Sequence, residues 1–115
     1  MTQEEKRLLI KDLCARLPYG VKLKSKNGEV ATLVNPPTAI QDDCWNFKPY
    51  LRPLSSMSEE EEIYYNTIYT TLKFYEKEDW LNEHHFDYRL DPSTGKTLIE
   101  SGLALEAKEG MYKND

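Results

Sequence analysis

The residues best suited to chemistry lie in one short stretch that contains both histidines of the chain. Imidazole and carboxylate side chains are common ligands of zinc and iron, so this stretch is a candidate site for a metal-binding or hydrolytic protein. Chelation from a helix favours residues at i and i+4, but only the acidic pair Glu83 and Asp87 has that spacing here. The stretch is therefore an alternative functional site, with the candidate ligands Glu83, His84, His85 and Asp87.

Two further patterns lack a complete catalytic set. Gly95-Lys96-Thr97 matches the end of a phosphate-binding loop, but Leu90 stands where the full motif requires glycine. Cys14 and Cys44 are too far apart for a paired-cysteine redox or zinc motif, and we expect both to be buried or half-buried free thiols. A thiol paired with a histidine stays open as an alternative. The sequence predicts no catalytic residue and no cofactor.

A group of aromatic residues favours binding rather than catalysis. Tyrosine and tryptophan are enriched at protein interfaces because each combines a large apolar area with a polar group. One segment of the chain is dense in them, directly after the glutamates at 59–62: Tyr64, Tyr65, Tyr69, Phe74, Tyr75 and Trp80. These side chains are expected either to fill the core or to form a surface. The favoured functional hypothesis is a surface for a protein partner or for self-association.

The charge of the chain is unevenly distributed, although the net charge is only -5. Residues 1–28 carry seven Lys or Arg against three Asp or Glu, whereas residues 58–87 carry two against nine. The acidic balance disfavours a dedicated nucleic-acid binder. Nucleic-acid contact through the basic N-terminal third is a second alternative, and its candidate residues are Lys6, Arg7, Lys11, Lys22, Lys24 and Lys26.

Membrane contact is also disfavoured by the sequence. No stretch approaches the roughly 18 consecutive apolar residues that span a bilayer. Residues 1–6 do not have the charged and then apolar layout of a secretory signal. We therefore expect a cytoplasmic protein.

The predicted architecture that positions these residues is a single α+β domain over residues 1–115, with a loose tail from about residue 110. Thr2 and Glu5 form a capping box that starts an N-terminal helix near Gln3, and Gly20 ends it. Leu9 and Leu13 lie on its apolar side. The basic residues are expected on the remaining surface of this helix: Lys6, Arg7, Lys11 and Arg16.

A short antiparallel β-hairpin is predicted after this helix. Asn27-Gly28 is typical of a two-residue type I′ turn, which pairs Ser25 with Val30 and Leu23 with Thr32. Side chains alternate between the two faces of a strand, so this register places four apolar residues on one face beneath the helix. They are Val21, Leu23, Val30 and Val34.

The second half of the chain is predicted to hold an irregular Pro-rich segment over residues 38–57, then two C-terminal helices and a short extended tail. One short strand or helical turn within 38–57 stays open. Ser58 and Glu61 repeat the capping box and start the first of these helices. Its apolar phase breaks near Glu76, so we expect a shorter helix to restart with Asp79 as its N-cap.

Four segments of the chain form a recognisable combination: LCARLPYGV at 13–21, KPYLRPLSSM at 48–57, DWLNEHHFDYR at 79–89 and GLALEA at 102–107. Together they resemble a family of small uncharacterised proteins that recur in gut Bacteroides and relatives, often in prophage-like or other mobile regions. Many members run almost directly from the end of the third segment into a block that corresponds to residues 98–102 here. Leu90 to Thr97 therefore resembles an insertion, and residues 91–97 are interpreted as a tolerated turn. The resemblance implies a bacterial, cytoplasmic and phage-linked context, and it brings no activity or catalytic residue.

Overall fold

The computed structural model describes residues 2–35, 47–71, 74–108 and 111–112, with their side chains except at 68–71 and 74–75. The fold is α+β, with an N-terminal helix, a small sheet and further helices, so the predicted class is confirmed. The helices are α1 (Gln3–Arg16), α2 (Glu59–Thr71) and α3 (Phe74–Glu83). The strands are β1 (Lys22–Lys24), β2 (Val30–Thr32), β3 (Lys48–Pro53), β4 (Phe86–Asp87) and β5 (Leu105–Glu106). Short 3₁₀ turns follow α1 at Leu17–Tyr19 and β3 at Leu54–Ser56.

α1 starts where its capping residues predict. The Thr2 hydroxyl accepts a hydrogen bond from the Glu5 backbone N–H at 3.0 Å, and the Glu5 carboxylate accepts from the Thr2 N–H at 2.7 Å. These contacts satisfy two of the N–H groups that a helix start leaves without partners. At the other end, Gly20 takes a left-handed conformation with φ of 69° after the 3₁₀ turn.

β1 and β2 pair antiparallel, but the predicted register is wrong by one residue. Leu23 lies opposite Ala31 rather than Thr32. The loop has three residues instead of two, because the Ser25 N–H donates to the Glu29 carbonyl and Gly28 adopts φ of 88°. A slip of one residue moves every side chain of a strand to the other face. Two residues expected in the core, Val30 and Val34, are consequently 51% and 74% exposed, and Leu33 is buried in their stead.

The segment predicted as irregular over residues 38–57 contains a strand, which the prediction left open without placing it. Residues 48–53 form β3, which stands between β1 and β4 in the strand order β2-β1-β3-β4. β3 pairs antiparallel with β1 and parallel with β4 and β5. Pro49 and Pro53 lie within this strand, although proline is rare in a strand that has neighbours on both sides. The first half of the segment, up to residue 46, lies outside the described residues.

The two later helices divide at a different place from the predicted one. α2 ends at Thr71 and α3 begins at Phe74, so Asp79 lies inside α3 and is not its N-cap.

The apolar core lies between α1 and the sheet. Its buried members are Leu9, Leu13, Val21, Leu23, Leu33, Leu51, Leu98 and Ala104. Among the described residues, no helix has the length and apolar character needed to cross a membrane.

Candidate functional site

The predicted aromatic surface is partly an internal contact. The ring centroids of Tyr64 and Tyr65 on α2 lie 5.4 and 6.0 Å from that of Trp80 on α3. Tyr65 and Trp80 are half-buried, whereas Tyr64 is 49% exposed. Ring pairs at such distances contribute about 0.5–1.5 kcal/mol beyond their burial, so these contacts attach α2 to α3. The other predicted members have side chains outside the described residues: Tyr69, Phe74 and Tyr75.

The same contact continues from α3 to the sheet. The Trp80 ring lies 4.6 Å from that of His84 and 5.7 Å from that of the buried Phe86. On β3, the guanidinium carbon of Arg52 lies 4.2 Å from the Phe86 ring centroid, in a cation–π contact. These rings together form what we call the aromatic cluster, which connects α2 to the sheet: Tyr64, Tyr65, Trp80, His84 and Phe86.

A salt bridge supports the start of α2 at the same junction. The guanidinium of Arg52 donates to both carboxylate oxygens of Glu61, at 2.6 and 2.9 Å. The same carboxylate accepts from the Ser58 N–H at 2.9 Å, and the Ser58 hydroxyl accepts from the Glu61 N–H, so the second capping box is confirmed. The hydrogen bond from Arg52 is the largest cause that lowers the pKa of Glu61 to about 2. One carboxylate therefore both caps α2 and ties it to β3.

Beyond these ties the described part of α2 is largely exposed. Over residues 59–67, the part of α2 whose side chains the structure describes, none is buried. Ile63 is 62% exposed, and Tyr64 follows it. A helix of a globular protein normally buries an apolar stripe, and this part of α2 does not. We call its exposed residues the α2 outer surface: Glu59, Glu60, Glu62, Ile63, Tyr64, Asn66 and Thr67.

The two histidines of the alternative metal site diverge at the end of α3. His85 adopts a left-handed conformation, with φ of 61°, where the chain turns from α3 into β4. Its buried ring stacks on Tyr112 with 3.9 Å between centroids, whereas the half-buried ring of His84 packs on Trp80. Burial is the largest cause that lowers the pKa of His85 to about 3, so its imidazole is neutral at pH 7.

The carboxylates of the same alternative site also lie apart. Asp87 accepts hydrogen bonds from the backbone N–H groups of Leu98 and Ile99, at 3.2 and 3.0 Å, and burial raises its pKa. Glu83 is exposed. Among the described residues, no group of three or more His, Cys, Asp and Glu side chains could hold a metal ion. The structure therefore does not assemble one site from the predicted ligands Glu83, His84, His85 and Asp87.

The prediction for Cys14 is wrong, because this thiol is exposed on α1 rather than buried or half-buried. The neighbouring Leu13 is fully buried, so the edge of the buried stripe runs between these two positions. Cys44 lies outside the described residues.

The basic residues of the nucleic-acid alternative do not share one environment. Lys6 is buried, and the half-buried Lys22 donates through Nζ to the Met111 carbonyl at 2.9 Å. Arg7 and Lys11 are exposed and line a cleft of about 550 Å³ between α1 and the turn at 91–93. That cleft also holds the carboxylates of Glu4 and Asp91. The remaining two candidates, Lys24 and Lys26, are exposed.

A buried ionic network joins α1 to the segment around β4. The Asp12 carboxylate accepts from Arg16 Nε at 2.8 Å and from Arg89 Nη1 at 2.6 Å. Arg16 also donates to the Phe86 carbonyl, and the Asn82 side-chain oxygen accepts from Arg89 at 3.1 Å. Asp12 and Arg16 are completely buried. The network therefore holds α1 against β4 and is closed to any substrate.

The prediction that Arg16 and Lys6 lie on the surface of α1 is wrong. The i,i+4 spacing of Asp12 and Arg16 is visible in the sequence, but that spacing is also common on exposed helix faces. In the fold this pair is buried, and Arg89, which is 77 residues from Asp12, donates to the same carboxylate. No local pattern indicates that contact.

The comparisons with known proteins return no relative of this chain. No family profile matches it, and neither a curated protein nor a solved structure matches it. The geometry described above is therefore the basis for choosing a site. The α2 outer surface is the candidate functional site, because it is held firmly at one end and presents apolar and acidic side chains to solvent.

Proposed function

We propose that this protein is a non-enzymatic interaction protein that binds a polypeptide partner through the α2 outer surface. The observation that carries the proposal is that α2 is capped and tied to β3, yet buries none of its side chains over residues 59–67. Helices of this length draw most of their stability from an apolar face packed against another surface. A partner that covers Ile63 and Tyr64 supplies that packing.

The chemistry of the surface defines the kind of partner. Ile63 and Tyr64 offer an apolar anchor, and the glutamates at 59, 60 and 62 surround it with negative charge. A complementary partner has an apolar groove with Lys or Arg at its rim. Docking of an amphipathic helix into such a groove is a common recognition mode. A second copy of the chain offers the exposed cations Arg7 and Lys11 of α1 for this purpose.

Site-specific photo-crosslinking tests the proposal. A photoreactive amino acid replaces Tyr64 or, as the control, the exposed Lys26 of the β1–β2 loop. Each protein is irradiated alone and in an extract of the cells that express it naturally. We expect a discrete adduct from position 64 that position 26 does not give and that Ile63→Glu abolishes.

Light scattering of the purified protein identifies the partner when it is a second copy. Concentration-dependent dimers that Ile63→Glu dissociates indicate self-association through the α2 outer surface. A strict monomer that gives no adduct from position 64 beyond that from position 26 would contradict the proposal.

We also infer a bacterial, cytoplasmic and mobile-element-linked setting. The support for this inference is the resemblance of the four segments at 13–21, 48–57, 79–89 and 102–107 to the Bacteroides family. The neighbouring genes test it. Phage or mobile-element genes on both sides support the inference, and a housekeeping operon contradicts it.

A further inference from the structure

The segment after β5 reaches back to the sheet through Tyr112. The Tyr112 hydroxyl accepts a hydrogen bond from the Lys22 backbone N–H at 2.8 Å and donates one to the Tyr50 carbonyl at 2.8 Å. The Lys22 ammonium donates to the Met111 carbonyl at 2.9 Å and lies 5.7 Å from the Tyr112 ring centroid. Tyr112 falls in the tail predicted to be loose, yet these contacts hold it in place.

The Tyr112 hydroxyl occupies a gap where the β1–β3 ladder ends. The last pair of the ladder is Leu23 with Pro49, and the same register one residue further sets Lys22 opposite Tyr50. Facing residues of antiparallel strands can bond N–H to C=O directly. Here the hydroxyl lies between that donor and that acceptor. The gap therefore presents one N–H and one C=O to a single hydroxyl group.

The protein contacts the ring of Tyr112 as well as its hydroxyl. It stacks on the imidazole of His85, with 3.9 Å between centroids and 24° between planes. His85 is buried, so the surrounding structure fixes the position of this aromatic surface. The gap thus combines a donor, an acceptor, an aromatic surface and a nearby ammonium group.

We propose that this gap is a phenol-binding site, that Tyr112 is its internal occupant, and that a phenol from outside the chain, such as a tyrosine side chain, exchanges with Tyr112. A phenol satisfies both backbone groups at once, which an apolar ring cannot do. No strand pairing among the described residues includes 111–112, so the described ladders themselves do not depend on Tyr112. The site shares no residue with the α2 outer surface, so it is independent of the proposed function.

Chemical rescue of an emptied site is the main test. Tyr112→Ala removes the occupant, and calorimetric titration measures binding of p-cresol, which is the tyrosine side chain as a free molecule. We expect saturable binding with one p-cresol per chain, about tenfold or more tighter than in the unmodified protein, because Tyr112 competes there. Toluene, which lacks the hydroxyl, binds about tenfold or more weakly than p-cresol. The control Tyr19→Ala removes an exposed tyrosine elsewhere and leaves p-cresol binding unchanged.

Three results of this titration overturn the proposal. They are no saturable p-cresol binding by folded Tyr112→Ala, equal binding by that variant and the unmodified protein, and equal binding of toluene and p-cresol.

Amide hydrogen exchange gives a second test that does not depend on the folding of Tyr112→Ala. Tyr112→Phe keeps the ring and removes only the hydroxyl. We expect exchange of the Lys22 N–H to accelerate about tenfold or more. The N–H of Leu33, which donates to the Val21 carbonyl at 2.9 Å, is the internal control and keeps its rate. Equal rates for Lys22 in both proteins, or equal acceleration at both amides, contradict the proposal.

Two further arms identify the source of the phenol. A dimer that Tyr112→Ala dissociates indicates that Tyr112 of a second copy enters the site. A monomer in which N-acetyl-tyrosinamide binds as well as p-cresol indicates a tyrosine of another polypeptide. Binding of p-cresol alone indicates a small free phenol. Each of these three outcomes supports the phenol site.

Discussion

α1 and α2 start in the same way, but their described side chains lie in different environments. Each begins with a capping box, Thr2–Glu5 in α1 and Ser58–Glu61 in α2. α1 then buries Leu9 and Leu13 in the core, whereas α2 buries none of its side chains over residues 59–67. The cap sets where a helix begins, but the surface opposite the helix decides whether it becomes part of the core. We therefore assign stability to α1 and binding to α2.

The ion pairs of the two helices show the same contrast. The Asp12–Arg16 pair is completely buried, whereas the side chains of Arg52 and Glu61 are 20% and 19% exposed. Loss of one partner from a buried pair leaves an uncompensated charge in the interior and costs about 3–5 kcal/mol. A pair that stays in partial contact with solvent, such as Arg52–Glu61, is expected to contribute about 1 kcal/mol. Removal of one partner from the buried pair is therefore expected to destabilise the protein more than the same change in the Arg52–Glu61 pair.

Asp12→Ala is expected to have the largest effect. It leaves the guanidinium groups of Arg16 and Arg89 buried without their carboxylate, so the free energy of unfolding falls by about 3–5 kcal/mol. Urea unfolding followed by circular dichroism measures this loss. Glu61→Ala, which removes the acidic partner on α2, is the matched control. Losses of similar size for both variants would remove the contrast between the helices.

Two substitutions that shorten apolar side chains, one on each helix, test the same contrast between α1 and α2. Leu13→Ala empties a completely enclosed site under α1 and is expected to cost about 2–5 kcal/mol of unfolding free energy. Ile63→Ala removes a side chain that is 62% exposed on α2 and changes the stability by about 0.5 kcal/mol or less. The urea midpoints of both variants test this. A loss above about 2 kcal/mol for Ile63→Ala would show that α2 belongs to the core.

Glu61→Gln probes the tie between α2 and β3 by its pH dependence. The pKa of Glu61 in the folded protein is lowered to about 2, so the stabilisation by its carboxylate is present above pH 4.5 and is lost as the pH falls towards 2. We expect the free energy of unfolding of the unmodified protein to exceed that of Glu61→Gln by about 1 kcal/mol at pH 7. This difference is expected to disappear in acid.

Urea titrations at a series of pH values measure the difference between the two proteins. Glu59→Gln removes one neighbouring negative charge without touching the Arg52 pair, so it is the control for net charge. A difference between Glu61→Gln and the unmodified protein that stays constant with pH contradicts the role assigned to the carboxylate.

Substitution of the two capping residues is expected to have small effects. Thr2→Ala removes the cap of a helix that is part of the core, so the whole fold loses about 1 kcal/mol. Ser58→Ala removes the equivalent cap of α2, and its effect is expected as faster amide exchange within α2, with a global change below about 0.5 kcal/mol. Exchange measured by NMR separates the local effect from the global one. Equal global losses would mean that α2 unfolds together with α1.

Elements defined by contacts close in sequence were predictable. The Thr2–Glu5 and Ser58–Glu61 boxes each join residues three apart, and both helices begin where these boxes indicate. The β1–β2 register was not predictable from the Asn27-Gly28 pair, because this pair also suits a three-residue loop. That one extra residue exchanged the faces of Val30 and Leu33.

The candidate site was predictable only in its location. The density of aromatic residues after the glutamates pointed to α2, but not to the packing of Tyr64 and Tyr65 on Trp80. The sequence left a short strand open within residues 38–57 but could not place β3, because Pro49 and Pro53 are unusual in a strand that has neighbours. The adjacent histidines resembled a ligand set in the sequence. The chain turns at His85, however, so the ring of His84 packs on Trp80 and that of His85 on Tyr112.

The sequence by itself determined the α+β class, the two capped helix starts and the acidic, aromatic character of α2. Only the tertiary structure decided which charges are buried and where the Tyr112 ring lies. Asp12 meets Arg89 across 77 residues, and Tyr112 meets Lys22 across 90. The physical reason is that a capping hydrogen bond needs only neighbours in the chain, whereas burial requires a partner surface that the fold brings from far away.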